Sequence, residues 1–121
     1  MATARQRSAT GGYGEASAAR FLAGHGMVLL DRNWRCELGE IDLVLRDGDA
    51  LVVCEVKTRT SAAFGSPFEA VTPAKLARLR RLAARWIADR GVSVSEVRFD
   101  LVGVRLDLSG DARFDHLRGV G

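Results

Sequence analysis

Histidine and cysteine are scarce in this chain, and neither is spaced for metal binding. The two histidines, His25 and His116, stand alone near the ends of expected elements, and the two cysteines, Cys36 and Cys54, fit no zinc-type pattern. Cys54 falls on an apolar strand face and reads as a buried, reduced thiol, so no disulfide is expected. No apolar run approaches the roughly 20 residues that span a bilayer. The basic start, with Arg5 and Arg7, has no apolar segment behind it. A cytoplasmic protein with no membrane partner is the expectation. Also missing are a Gly-x-Ser-x-Gly nucleophile elbow, a glycine loop ending in Lys-Ser/Thr and a nicotinamide fingerprint. Gly11-Gly12-Tyr13-Gly14 follows no strand and marks only a helix start. No repeat or low-complexity segment is visible.

What remains is an ordinary globular composition with an uneven charge. Of 121 residues, 47% are hydrophobic and 27% charged, which suits one domain with one core. The expected layout is a flexible tail over residues 1–10 and a single domain over 11–121. The net charge is only +3, but Lys75 to Arg90 contains six basic residues and a single acid, Asp89. Such local excess matters when the partner is a polyanion.

Hydrophobic periodicity orders the elements. A helix is expected over 11–25, starting after the glycines, with Glu15 in its first turn, where the helix dipole favours a negative charge. A strand follows from Met27 to Trp34. Thr72-Pro73 opens a second helix as N-cap and first residue, and Gly91 ends it. Leu76, Leu79, Ala83, Trp86 and Ile87 form its buried stripe. Strands are expected over Val97–Leu106 and, at an edge, Ala112–His116. Helix, three strands, helix and two strands give an α/β fold with a mixed sheet flanked by helices.

The chemistry concentrates between the first and second helices. Glu40-Ile41-Asp42-Leu43-Val44-Leu45 alternates as a strand, with Ile41, Leu43 and Leu45 on one side and Glu40, Asp42 and Val44 on the other. With Asp47-Gly48 at the tip of a hairpin, Arg46 pairs with Asp49, and Asp42 lies opposite Val53. Asp42, Glu55 and Lys57 then share a face, the two acids as diagonal neighbours roughly 7–8 Å apart. The opposite face, Ile41, Leu43, Leu45, Val52, Cys54 and Val56, is apolar and must be covered. Two carboxylates without nearby cysteine or histidine offer hard oxygen donors, suited to Mg²⁺ or Mn²⁺. An ion of that kind with an adjacent ammonium is suited to phosphodiester hydrolysis. The plainer alternative is that Glu55 and Lys57 pair with their strand neighbours.

On the second helix Arg78, Arg81 and Arg85 read as a basic row without acidic partners at i+4, equally suited to solvation and to phosphate contacts. Lys75, in the first turn near the cleft, is the better phosphate candidate. The connection 58–72 carries Phe64 and Phe68. Phe64 could stack on a base, though packing onto the core is the plainer expectation.

Glu15, Gly39-Glu40-Ile41-Asp42-Leu43-Val44, Cys54-Glu55-Val56-Lys57-Thr58-Arg59, Phe64-Gly65 and the Thr72-Pro73-Ala74-Lys75 helix start together resemble the YraN-like family of small bacterial proteins. That family is similar to the PD-(D/E)XK nuclease superfamily and, within it, to archaeal Holliday-junction resolvases. The resemblance covers about residues 10 to 105. It implies a restriction-endonuclease-like core and Mg²⁺-dependent (or Mn²⁺-dependent) cleavage of DNA. By the same resemblance Asp42 and Glu55 match the metal-binding acids, Lys57 the superfamily lysine and Glu15 a further acid of the metal shell. Asn33-Trp34-Arg35 also matches a family stretch, without an assigned role. The leading expectation is a structure-selective DNA endonuclease. A homodimer goes with it, because two nicks on a two-fold-symmetric junction need two sites. Lys75, Arg78, Arg81, Arg85 and Arg59 are its candidate nucleic-acid contacts. The alternatives are a non-catalytic nucleic-acid-binding module of the same fold and, third, an adaptor for another protein.

Overall fold

The structure, a computed structural model, describes residues 4–59, 71–107 and 109–120, with side chains from Gly12 on. Helix α1 (Ala4–Gly24) is followed by strands β1 (Val28–Cys36), β2 (Gly39–Asp47) and β3 (Ala50–Arg59). Helix α2 (Pro73–Arg90) and strands β4 (Glu96–Leu106) and β5 (Ala112–Leu117) complete the chain. The five strands form one mixed sheet in the order β1-β2-β3-β4-β5. Neighbours joined by short turns are antiparallel, and β3 and β4, joined through α2, are parallel, as a crossover connection requires. The architecture is α/β, consistent with a restriction-endonuclease-like core. Among the described residues, no helix is long and apolar enough to cross a membrane.

Each helix covers one face of the sheet. Ala18 and Leu22 of α1 pack with Leu43, Leu45, Val52, Cys54, Val102 and Val104. Leu79, Leu82, Ala83 and Trp86 of α2 pack with Ile41, Val44, Leu51 and Val53 on the other face. Burying two such faces is the main favourable term in folding. Cys54 is fully buried, as expected of an inert thiol.

Helix α2 has the ends that its sequence dictates. The Thr72 hydroxyl accepts from the Lys75 amide at 3.2 Å, Pro73 occupies the first turn, and Gly91 closes the helix at φ 62°. The start of α1 differs from expectation. It begins at Ala4, upstream of Gly11-Gly12, so the glycines lie inside the helix and the expected tail overlaps it from Ala4 onward. Alanine, arginine and glutamine before the glycines are good helix formers, and interior glycines cost about 1 kcal/mol each, which docking of the helix can offset. Phe64, Gly65, Pro67 and Phe68 lie outside the described residues.

Gly14 lets α1 approach the sheet. A Cβ at this buried position would stand 1.9 Å from Thr58 Oγ1 and 3.1 Å from Thr58 Cβ. Gly14→Ala is therefore expected to cost about 1–3 kcal/mol by overpacking, read as a lower urea midpoint. Adding Thr58→Ala should recover most of the loss, and an unchanged midpoint in the single variant would refute the close-packing account.

The β2–β3 hairpin differs from expectation by one residue at its tip. Asp47 pairs with Ala50, and the turn is Gly48-Asp49, with Gly48 at φ 61°. Glycine at the first central position is the pattern of a type II′ turn, which places the positive φ where only glycine adopts it freely. One step past the last ladder pair, Leu43↔Cys54, Asp42 is level with Glu55 rather than diagonal to it.

Candidate metal centre

The strict alternation expected for β2 breaks at Asp42. Leu43 packs on the α1 side, yet Ile41, two residues earlier, belongs to the α2-side core. The expected apolar face running from Ile41 to Val56 is therefore interrupted. A matching irregularity lies on the neighbouring edge strand. Asn33 is the one non-glycine residue with positive φ (53°) among those described, and it sits between the pairs Arg32↔Leu43 and Trp34↔Ile41, opposite Asp42. A left-handed residue rotates the strand locally. Accordingly, Arg32 reaches α1, donating to the Gly12 carbonyl at 2.9 Å, while Trp34 packs on the α2 side.

This switch gathers acids beside α1. Carboxylate oxygens of Glu15, Glu40 and Asp42 all lie within 4.8 Å of one another, and all three residues are half-buried. The β2–β3 ladder stops here, and the Val56 amide donates instead to Asp42 Oδ2 at 2.8 Å. Burial pushes the Asp42 carboxyl up to about 7, with the charges of Glu15, Glu55 and Glu40 adding to it against the Val56 hydrogen bond. Burial also raises the Glu15 carboxyl, opposed by hydrogen bonds from the Asn33 side chain and from Asp42. Burial, with the neighbouring acids adding to it, thus favours the protonated form of Asp42 up to near neutral pH.

Glu55 and Lys57 form a second group next to the first. The Glu55 carboxylate lies 2.8 Å from Lys75 Nζ and 3.5 Å from Lys57 Nζ. Glu55 stands outside the tight set of three acids, although its charge is felt at Asp42. Asp42, Glu55 and Lys57 therefore do not simply share one face. Asp42 turns toward α1, Glu55 turns toward the first turn of α2, and Asp42 stands between the two groups.

The other expected residues are placed as follows. Lys75 is committed to Glu55. Arg85, expected to lack acidic partners, has two. It binds Glu37 at 2.6 and 3.3 Å and its own i+4 neighbour, Asp89, at 3.3 Å. Its guanidinium is raised above the ordinary value chiefly by the Glu37 hydrogen bond. Asp89 lies one turn along α2, and Glu37 reaches across from the β1–β2 turn. Arg78 and Arg81 are exposed, with Arg78 beside Gly39 at the start of β2. Arg59 ends β3, and its buried Nε has no hydrogen-bond partner among the described residues. His116 is not isolated either: Nε2 lies 2.8 Å from Asp100 Oδ2. His25 is exposed and its Nδ1 lies 2.8 Å from the Phe21 carbonyl oxygen.

Two contributors are not evident from sequence alone. Glu40 reads there only as a strand residue, but it completes the set of acids and is held by Arg35 at 3.0 Å. Its place in Glu-x-Asp, with both acids on one side of an alternating strand, is the signal that points to it. Asn33, unassigned in its motif, stands opposite Asp42, and its side chain helps hold the Glu15 carboxyl down against burial.

Comparison with known proteins agrees with this organisation in extent. The chain is 63% identical over 120 residues to a UPF0102 protein of Nocardioides, covering 99% of this chain and 97% of the relative. It is 57% identical to one of Beutenbergia cavernae, covering 97% and 99%, and 54% identical to one of Kineococcus radiotolerans, covering 99% of each. A family model described as "Uncharacterised protein family UPF0102" matches residues 14–104, from the glycine at the α1–β3 contact to the end of β4's buried stretch. The chain belongs to the UPF0102 family.

Proposed function

We propose that this protein is a metal-dependent DNA endonuclease of the PD-(D/E)XK type, hydrolysing phosphodiester bonds and acting on branched DNA as a homodimer. The observation that carries the reading is the Glu15, Glu40 and Asp42 cluster, in which burial, with the neighbouring acids adding to it, pushes the Asp42 carboxyl up to about 7. A divalent cation relieves the same repulsion that the proton relieves. All the donors are carboxylate oxygens, which fits Mg²⁺ or Mn²⁺ and not a thiolate- or imidazole-loving metal. Glu15, Glu40 and Asp42 would hold the ion, with Glu55 at its margin. When bound, it would supply a Lewis acid for the phosphoryl oxygen and a water of lowered pKa.

The chain's own groups supply the rest. Lys57, a third exposed and 3.5 Å from Glu55, presents an ammonium where a phosphate oxygen or an attacking water can be held. Lys75 neutralises Glu55, which leaves Lys57 as the group's excess positive charge. The Val56 amide fixes the Asp42 carboxyl at the point where the strands part. Duplex backbone contacts fall to Arg78 and Arg81 on α2 and to Arg59, while Arg85 is occupied by Glu37 and Asp89.

A specific observation favours a second reading, a nucleic-acid-binding module without catalysis. Glu55 is already paired with two lysines and stands outside the tight cluster. A panel of linear, flapped and four-way DNA with Mg²⁺, run with parent and Lys57→Ala protein, separates the two. Cleavage by the parent that falls at least ~100-fold in the variant supports the enzyme. Binding by both with cleavage by neither supports the module.

The phosphate contacts have their own signature. Replacing both Arg78 and Arg81 with alanine should reduce the slope of log affinity against log salt by about 2, near 0.9 for each phosphate no longer neutralised. Arg85→Ala should leave the slope nearly unchanged. Equal slopes in all three proteins would mean that this face is only solvated.

A further inference from the structure

Three arginines stand side by side at one end of the sheet. Arg59 pairs with Arg105 in the parallel β3–β4 ladder, and Arg105 pairs with Arg113 in the antiparallel β4–β5 ladder. Val56, Val104 and Phe114 pack toward α1, and both ladders run unbroken here, so all three arginines project from the opposite face. Glu55 and Lys57 lie on that face too, with Lys57 two residues before Arg59 on the same strand. The row therefore continues the candidate site across the sheet.

By itself the row is unfavourable. Like charges placed directly opposite each other destabilise a sheet, and Arg105 has one on either side. Local acids offset them only in part. Arg105 Nε pairs with Asp115 at 3.3 Å, but the two side chains are 41% and 45% exposed, so solvent screens the pair. Arg113 is exposed and acts on Asp107, whose carboxylate already accepts from the amides of Ser109 and Asp111 and from the Ser109 hydroxyl.

We propose that Arg59, Arg105 and Arg113 form a track for the phosphates of one DNA strand, leading away from Lys57 toward the β5 edge. The proposal rests on the nuclease reading and adds to it the path of the strand. Neighbouring strands of a sheet lie about 4.8 Å apart, so the row spans roughly 10 Å. One strand of a duplex places about three phosphates over that length, at about 3.4 Å each. Guanidinium groups suit them, because the planar fork binds a phosphate through two parallel hydrogen bonds. A phosphate arriving at Arg105 takes the place of Asp115.

Binding of a labelled four-way DNA, followed by fluorescence anisotropy in a chelator so that nothing is cut, tests the track. Replacing both Arg105 and Arg113 with glutamine should weaken binding at least ~10-fold at low salt. It should also reduce the slope of log affinity against log salt by about 2, near 0.9 for each lost contact. Asp115→Asn should act in the opposite direction and tighten binding several-fold, which loss of a merely structural pair does not do. Arg46→Gln, at an exposed position near the hairpin tip and the other end of the sheet, should match the parent.

An unchanged slope in the double variant, or an equal loss in Arg46→Gln, would overturn the track while the nuclease reading stands. So would binding by Asp115→Asn no tighter than the parent's. A parent that binds no DNA even at low salt would overturn both.

Discussion

Asp42→Asn should make the metal-free protein more stable at pH 8 and, under the proposed function, strongly reduce cleavage of DNA. The Asp42 carboxyl ionises at about 7 in the folded chain against an ordinary value of 3.8. Between those values the folded state holds a proton that the unfolded state has released, so the carboxyl's contribution is full below 3.8 and is lost as pH rises through 7. Above 7 the folded protein must carry a buried anion beside Glu15, Glu40 and Glu55. Asparagine has the same shape and its oxygen can still accept from the Val56 amide, but it never ionises. The expected gain is about 2–4 kcal/mol at pH 8, shrinking to nearly nothing at pH 4, measured by urea unfolding in a chelator. Activity should fall about a thousandfold, equivalent to ~4 kcal/mol of lost transition-state stabilisation. A variant that is both more stable and inactive marks a site that sacrifices stability for function. Equal stability at pH 8 would show that Asp42 is not under electrostatic stress.

The second large effect lies away from the site, in the polar network of β4 and β5. Asp100 is buried, its side chain without solvent exposure, and it accepts from Arg98 Nε at 2.9 Å and Nη2 at 3.1 Å. It also accepts from the Gly119 amide at 3.0 Å and meets His116 Nε2 at 2.8 Å. Burial alone would raise its pKa, but Arg98, His116 and the Gly119 amide outweigh burial and hold it below 3.8. Its stabilising contribution is present above 3.8 and is lost as pH falls below that value. Asp100→Ala should cost about 3 kcal/mol, toward the low end for a broken buried pair because Arg98 keeps Asp47 at 2.9 Å. Urea unfolding at pH 7 should show this loss, and the variant's acid unfolding should be less steep. A cost below about 1 kcal/mol would show that the network is replaceable by solvent.

The order of elements was legible because local chemistry and tertiary packing agree along most of the chain. Thr72-Pro73 and Gly91 bracket α2, and its apolar stripe meets the sheet where the 3.6-residue period puts it. The hairpin was legible as a hairpin, but the choice between Asp47-Gly48 and Gly48-Asp49 as its tip turns on which residue takes a positive φ, and a single step relocates Asp42 relative to Glu55. Strict alternation could not foresee the face switch, which coincides with one left-handed asparagine on the neighbouring strand. For the same reason Asp42 and Glu15 could be named as site residues, while the grouping of Glu40 with them, and of Glu55 with Lys75, needed the fold. Of the partners of Arg85 only Glu37 is hidden, being 48 residues away in sequence, whereas Asp89, at i+4, is legible from spacing alone.

Calorimetric titration of the chelator-treated parent with Mn²⁺, at pH 6 and at pH 8, tests the cation site most directly. The expected result is one ion bound per chain, more tightly at pH 8 than at pH 6 because Asp42 must release its proton to receive it, and no binding in Asp42→Asn at either pH. Absence of binding by the parent at pH 8, or binding that persists in Asp42→Asn, would contradict it.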